Sequence, residues 1–593
     1  MEKRFGSAPV FFTAISTILG AILFLRFGYA TGTLGIAGVM LLILVGHMVT
    51  LPTALALSEI ATNEKVQGGG EYFIISRSFG LNIGATIGIT LFLSQAISVA
   101  FYIIAFTESF SPLFDFFRDK LSVTLPRQVI SLPAMTVLGI LILRRGANMG
   151  IKFLYIINAI LFFSLIMFFL GKTDYSPPPS EGFLNGSIKG MDQFFIVFAI
   201  VFPAFTGMTA GVGLSGDLRN PKRSIPFGTV SATMLGLVIY MLVVWKLHVS
   251  ASPEDLLSDQ LVMSRIAVLG SIVVPIGLAA STLSSAIGSY LVAPRTLQAL
   301  GSDGSFPMKL LNRFLARGRG ETQEPYNAGL VVFVIAFVFV AMGTVNAVAK
   351  IISMFFMVTY GSLCLISFLH HFGADPSYRP SFRSRWYLSL LGFLMCMYLM
   401  FKISTGYSLI AIAVMVLIYM WIHFTHKDRQ GIEAIFQGAI FQLSRNLQVY
   451  LQKSKKMART QKWRPAVVCV SADTFERDDA FRLVNWLSYK FGFGTYIHLI
   501  KNYFSAMSYQ DSRQIMDRLV EKAGTEKCNV YLDTLISPSY TSAIAQVIQL
   551  PGMSGMENNM VLFEFDKDNP VNLRQIIDNH ALVRAARFDV CVL

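Results

Sequence analysis

The ten residues FPAFTGMTAG at 202–211 interrupt an apolar run long enough to cross a lipid bilayer. Pro203 has no amide hydrogen and obstructs the carbonyl one turn back, while Gly207 and Gly211 weaken the helix beyond it. A straight helix is therefore excluded here. Unpaired backbone at bilayer depth is tolerated only where protein buries it or where it lines a polar cavity, so the interruption implies a bound polar group. A proline kink resealed by a neighbouring helix is the simpler alternative.

With 54% hydrophobic and only 14% charged residues among 593, the chain is excluded from the soluble globular proteins. About twelve runs of roughly 20 apolar residues lie between residues 8 and 424. A net charge of +14 would suggest nucleic acid as partner in a soluble protein. Here the basic residues fall mainly in alternate loops, so the lipid bilayer is the expected partner and nucleic acid is not. With Lys3 and Arg4 on the cytoplasmic side, an even number of crossings leaves the C-terminus in the cytoplasm as well. Cys364 and Cys396 lie in apolar segments and Cys469, Cys528 and Cys591 in the C-terminal region, so no disulfide framework is expected. No cleavable signal pattern is expected either, because a second long apolar run follows the first directly.

Segment 1 (8–30) contains STILGAILFLRFG, with Ser16 and Thr17 before a mid-depth Gly20. Arg26 lies near its outer end, placed to snorkel or to pair with an acid such as Glu108. Segment 2 (34–57) leads into a loop whose Gly68 to Gly70 lack the flanking strand and Lys-Ser/Thr of a phosphate cradle, so a tight re-entrant turn is expected. Segment 3 (81–106) carries Tyr102. Segments 4 (129–143) and 5 (151–170) flank the basic RRGAN turn, and the sequon Asn185-Gly186-Ser187 follows. Segment 6 (194–212) is the interrupted one; segment 7 spans 229–248. Segment 8 (266–291) has five hydroxyls within nine residues, and Ser281, Ser284 and Ser285 share one helical face. Segments 9 (328–342) and 10 (348–368), the latter with Tyr360, precede segments 11 and 12.

Segments 1–5 and 6–10 are each five spans, so the second set enters from the opposite side. Each set begins with a segment interrupted at mid-depth, the pattern of an inverted repeat around a central site. Domain boundaries are expected at 1–426, a membrane part; 427–462, an amphipathic helix followed by a basic linker; and 463–593, a cytoplasmic domain. In the last, strand-like runs such as AVVCVS and GTYIHLI alternate with helical ones, the pattern of a small α/β domain with a mostly parallel sheet.

A helix break exposes amide hydrogens at the start of one half and carbonyl oxygens at the end of the other, each end carrying about half a charge from the helix dipole. One break thus suits an anion and a cation together. Gly20-Ala21-Ile22 and Gly207-Met208-Thr209 offer amides to an anion. Thr17-Ile18 and Pro203 to Thr206 offer carbonyls and a hydroxyl to a hard monovalent cation. No Asp or Glu stands at mid-depth in segments 1, 3, 6, 8 or 10. A cation bound there would be expensive without co-bound anions, which argues for coupled movement of both.

The stretches TILGAILFLRFGYATGTLGIAG, SEIATNEKVQGGGEYFIISRSFG, VFAIVFPAFTGMTAG with SGDLRNPKRSIP, TLSSAIGSYLVAPRTLQAL, the WRP at 463–465 and PGMSGMENN resemble the cation-chloride cotransporters of the amino acid-polyamine-organocation superfamily. The resemblance covers nearly the whole chain. It implies a polytopic α-helical membrane protein of twelve spans, an inverted five-helix repeat (LeuT-like) with helices 1 and 6 broken, a cytoplasmic C-terminal α/β domain, a homodimer and the plasma membrane. It further implies no cofactor, only transported inorganic ions. Potassium falls near Tyr102, Thr17, Ile18, Pro203 and Thr206. One chloride falls at Gly20, Ala21 and Ile22, and a second at Gly207, Met208, Thr209 and Tyr360. Sodium falls between Ser16, Leu19, Ser281, Ser284 and Ser285. Retention of Ser284, Ser285 and Tyr102 resembles the sodium-potassium-chloride members, whereas Thr17, Leu19 and Ser281 depart from the residues usual there. Potassium-chloride or sodium-chloride symport and an amino-acid or polyamine permease are the alternatives on the same fold. A sensor whose C-terminal domain binds a nucleotide is a reading from another class. No nucleophile-base or metal-ligand pattern points to an enzyme.

Overall fold

The computed structural model describes residues 6–63, 70–145, 148–177, 190–320, 323–343, 345–373, 378–426, 433–454, 463–526, 528–550, 552, 557–567 and 570–593. Two compact units divide the chain, Met1–Ala439 and Ile440–Leu593.

The first unit is helical. It opens with α1 (Ser7–Ile18) and α2 (Ala21–Leu25), separated by Leu19 and Gly20, then α3 (Phe27–Asn63), α4 (Gly70–Phe79), α5 (Leu81–Glu108), α6 (Ser111–Leu121), α7 (Gln128–Arg145) and α8 (Asn148–Leu170). Next come α9 (Met191–Val201), two tight 3-10 stretches (Phe202–Phe205 and Met208–Asp217), α10 (Pro221–Ser250), α11 (Pro253–Ser258), α12 (Val262–Ile266) and α13 (Gly270–Ser302). The series ends with α14 (Lys309–Ala316), α15 (Tyr326–Met342), α16 (Val345–Gly373), α17 (Trp386–Ile403) and α18 (Thr405–Thr425), and α19 (Glu433–Ser454) runs across the division between the units. Among the described residues, 9 stretches are long and apolar enough to cross a membrane. Three shorter helices, Gln128–Arg144, Tyr155–Leu170 and Tyr326–Met342, are also apolar.

Burial sorts these helices. In the most apolar window of Met191–Val212, 94% of residues are buried; in that of Thr405–Thr425 only 11% are. The outer helices keep Leu409, Ile410 and Leu417 exposed, as do Ile156, Phe163 and Ile166 on α8. Such apolar patches are costly against water and suit hydrocarbon, so this is a multi-pass membrane protein.

Several element ends differ from expectation for local reasons. α3 bends at Gly35, whose φ of +68° only glycine adopts readily, one residue past the expected start of segment 2. α10 begins eight residues early, at Pro221, because a proline in the first turn is preorganised for helix. α13 continues through Pro294 to Ser302. Where a re-entrant turn was expected, Gly70 opens α4, while Gly68 and Gly69 lie outside the described residues, as does the sequon at Asn185. α4 lies hard against α5: a methyl on Gly84 would stand 2.4 Å from the Ser76 Cα.

The second unit carries five strands, β1 (Ala466–Ser471), β2 (Phe493–Lys501), β3 (Tyr531–Ser537), β4 (Met560–Phe563) and β5 (Asp589–Val592), with α20 (Asp479–Ser488), α21 (Ala506–Glu526), α22 (Tyr540–Gln549) and α23 (Pro570–Ala585) between them. The sheet is parallel throughout, in the order β3-β2-β1-β4-β5. β1 is buried along its whole length, as a central parallel strand covered on both faces must be. The alternation of runs made this sheet readable; α23 was not expected.

Near the end of α3 the fully buried Glu59 holds the unit together. It accepts hydrogen bonds from the Ser384 amide (3.3 Å) and hydroxyl and from Ser367 Oγ (3.1 Å), and His371 Nε2 lies 2.8 Å from its other oxygen. Asn63 Oδ1 accepts from the Arg379 amide at 2.7 Å and Thr62 Oγ1 from that of Phe382 at 3.2 Å. α3, α16 and the 378–385 strap are thereby tied at one point. Removing a buried acceptor strands every donor aimed at it, so Glu59→Ala should cost about 3 kcal/mol. The measurement is the melting temperature of the purified protein: a clear drop is expected, and an unchanged value would mean the clamp contributes nothing.

Candidate functional site

Two interruptions meet in the centre of the first unit. At the first, α1 ends at Ile18 and Gly20 adopts an extended backbone before α2 begins. The Gly20 amide donates to the Ile18 carbonyl at 2.7 Å, so the amides of Ala21 and Ile22, first in α2, are the ones left without a helical acceptor. At the second, α9 tightens at Pro203, Thr206 is extended and Gly207 has φ +106°. Met208 and Thr209 open the next turn, in which the Ala210 amide bonds back to Gly207. The breaks touch each other. A methyl on Gly207 would lie 2.7 Å from Thr17 Cγ2 and 3.1 Å from the Thr17 carbonyl carbon.

Around this contact the expected residues gather unevenly. Ser281, Ser284 and Ser285 on α13 are fully buried, and Ser285 Oγ donates to the Ser16 carbonyl at 3.4 Å, beside Gly20. Ser284 Oγ turns back to the Ser281 carbonyl at 3.0 Å, while Ser281 Oγ has no hydrogen-bond partner among the described residues. Leu19 is fully buried at the break. Ser16 and Thr17 spend their hydroxyls on the Thr13 carbonyl, leaving their own carbonyls toward the break. The Pro203 carbonyl is already engaged by the Thr206 amide (3.3 Å) and hydroxyl (2.7 Å). Thr209 Oγ1 is buried without a partner among the described residues, and Tyr360 is buried against Phe356. Tyr102 on α5 is buried beside Phe101.

One residue of the centre escapes sequence reading. Tyr240, on α10, donates toward the Ile18 carbonyl and toward the Ala204 carbonyl (2.8 Å), spanning both interruptions. Its ring stacks on Phe27 at 4.9 Å and meets Phe205 edge-on. A tyrosine amid apolar residues needs a partner for its hydroxyl, and that was the available signal.

Beside α2, a small void is lined by Ala21, Ile22, Leu25, Arg26, Phe101, Ile200 and Ala349. Arg26 donates to the Leu25 carbonyl at 3.3 Å. The buried Glu108 has Arg127 as ion-pair partner. The electrostatic character of the centre is that of partial charges: carbonyls, amides and hydroxyls, with no group of three or more acid, His or Cys side chains suited to a metal ion among the described residues.

Ligands of open parallel sheets bind beyond the strand ends where the strand order reverses, here between β1 and β4. That position is taken by Glu564, bonded to Ser471 at 2.8 Å and paired with Arg477 at 3.3 Å, with burial pushing its carboxyl above the usual range. A carboxylate in that place works against a nucleotide phosphate.

The amino acid permease family model matches residues 9–463. Cation-chloride cotransporter 2 of Oryza sativa subsp. japonica is 27% identical, over 94% of this chain and 61% of its own length. Cation-chloride cotransporter 1 of Arabidopsis thaliana is 26% identical, over 94% and 61%. Solute carrier family 12 member 1 of Mus musculus is 30% identical, over 69% of this chain and 42% of its own. The chain thus spans less than two thirds of the length of these relatives. It belongs to the amino acid permease family and, within it, to the cation-chloride cotransporters, which are transporters rather than enzymes.

Proposed function

We propose that the protein is a secondary active symporter coupling sodium, potassium and chloride in an electroneutral alternating-access cycle. The observation that carries the reading is the abutment of two helix breaks at Thr17 and Gly207, lined by unbonded amides and by carbonyls. Cations on the carbonyls of Thr17, Ile18 and Pro203, with the oxygens of Thr206 and Tyr102, would be balanced by chloride on the amides of Ala21 and Ile22 and of Met208 and Thr209, with the Tyr360 hydroxyl. Engagement of the Gly20 amide by Ile18 narrows the first anion site to two amides, and the extended Gly20 keeps the approach open. The unpartnered Ser281 Oγ and the Ser285 contact to Ser16 support a sodium position with Ser284 and the Leu19 carbonyl.

In this reading the 9 long and three shorter apolar stretches are twelve spans forming an inverted five-helix repeat of the LeuT-like kind. The protein works as a homodimer in the plasma membrane with both termini cytoplasmic. The family model's own description favours a second reading, an amino-acid or polyamine permease. Competition by amino acids for uptake would identify it.

Rubidium uptake into proteoliposomes holding the purified protein is expected to fall to background when either sodium or chloride is replaced. Uptake indifferent to both replacements defeats the coupling. Ser285→Ala is expected to raise the sodium concentration for half-maximal uptake by roughly threefold or more, with chloride dependence little changed; an equal loss in both would sink the sodium assignment.

A further inference from the structure

Resting on that functional reading, we propose that Tyr240 is a cation-binding residue: its phenol oxygen joins the carbonyls of Ile18 and Ala204 in one coordination cluster that spans both helix breaks. The three oxygens converge, with the Ala204 carbonyl 2.8 Å from the phenol and that of Ile18 also in hydrogen-bond contact. The phenol has one hydrogen to give, so one carbonyl receives it while the other faces an oxygen lone pair. That leaves partial negative charge gathered in a buried place where, among the described residues, no acid bonds to these oxygens, the condition a weakly hydrated monovalent cation meets.

The ring is not free to leave. Phe27 stacks on it at an interplanar angle of 10°, and Phe205 abuts its edge at 84°. The hydroxyl torsion alone remains adjustable. With a cation between the carbonyls, the O–H turns outward and the oxygen serves as ligand; without one, it donates to one of the two carbonyls. Within the second break the Pro203 carbonyl is already bonded twice by Thr206, so Ala204 supplies the better-placed carbonyl; the Ile18 carbonyl of the first break also accepts from the Gly20 amide and offers its second lone pair. Tyr240 thus binds the ion and positions both half-helices around it.

The test is Tyr240→Phe in the full chain, reconstituted into proteoliposomes, with rubidium uptake measured against rubidium and against chloride. The expected result is a KM for rubidium raised roughly three- to tenfold, as for loss of one hydrogen-bonding or coordinating contact, with half-saturating chloride within about twofold of wild type. Selectivity among potassium, rubidium and caesium should shift as well. If Tyr240→Phe does not fold, 3-fluorotyrosine at position 240 keeps the ring, weakens the oxygen as a ligand and should raise the same KM. A wild-type rubidium KM and unchanged selectivity in the substituted protein overturn the inference while leaving the function intact. Wild-type protein with neither rubidium uptake nor a potassium-induced rise in melting temperature overturns the functional reading and this inference together.

Discussion

The contact between Thr17 and Gly207 is what the rest of the membrane unit is arranged to permit. Two helices that lose their hydrogen-bond ladder inside a membrane protein must be enclosed, because hydrocarbon offers no partner for a bare amide or carbonyl. Enclosure explains why Met191–Val212 is the most buried of the spanning stretches, and why α1, α3, α10, α13 and α16 crowd about it. It also explains the chemistry of the lining: serine, threonine and tyrosine hydroxyls satisfy some of the exposed backbone, and what they leave unsatisfied faces the centre.

Much of this was legible before any coordinates. Pro203 with Gly207, and Gly20 after Ser16 and Thr17, marked both interruptions because proline and glycine act on the local backbone whatever surrounds them. The face shared by Ser281, Ser284 and Ser285 followed from helical spacing, and the strands of the second unit from runs of β-branched residues. What stayed hidden depends on contacts far apart in the chain. Tyr240 reaches Ile18 across 222 positions, and its place amid apolar residues signals that its hydroxyl needs a partner without saying which. Engagement of the Pro203 carbonyl by Thr206 and of the Ile18 carbonyl by Gly20 also escaped, since which lone pairs survive depends on the turn each break adopts. Glu59, just past the end of segment 2, carries no local mark of its role, because its partners come from α16 and the strap beyond it.

A centre built from partial charges behaves differently from one built on carboxylates. Carbonyls and hydroxyls cannot discharge themselves by taking up a proton, so their attraction for a cation changes little across the physiological pH range. They also provide no full countercharge. In the proposed cycle each cation therefore depends on an anion a few residues away along the same interruption, which ties occupancy of one to occupancy of the other without any moving part.

Phe205 follows directly on Pro203 and Ala204 and rests on α3 at Gly46, where a methyl would stand 2.3 Å from the ring. His47 faces the same ring at 5.1 Å. Ring and notch are thus two halves of one shape. Over evolutionary time neither position can change size alone: a larger residue at 46 would demand a smaller one at 205, and a smaller one at 205 would open a void beneath the second break. The two positions should drift as a pair, so their covariation among relatives would report the integrity of the interruption even where the residues lining it have diverged.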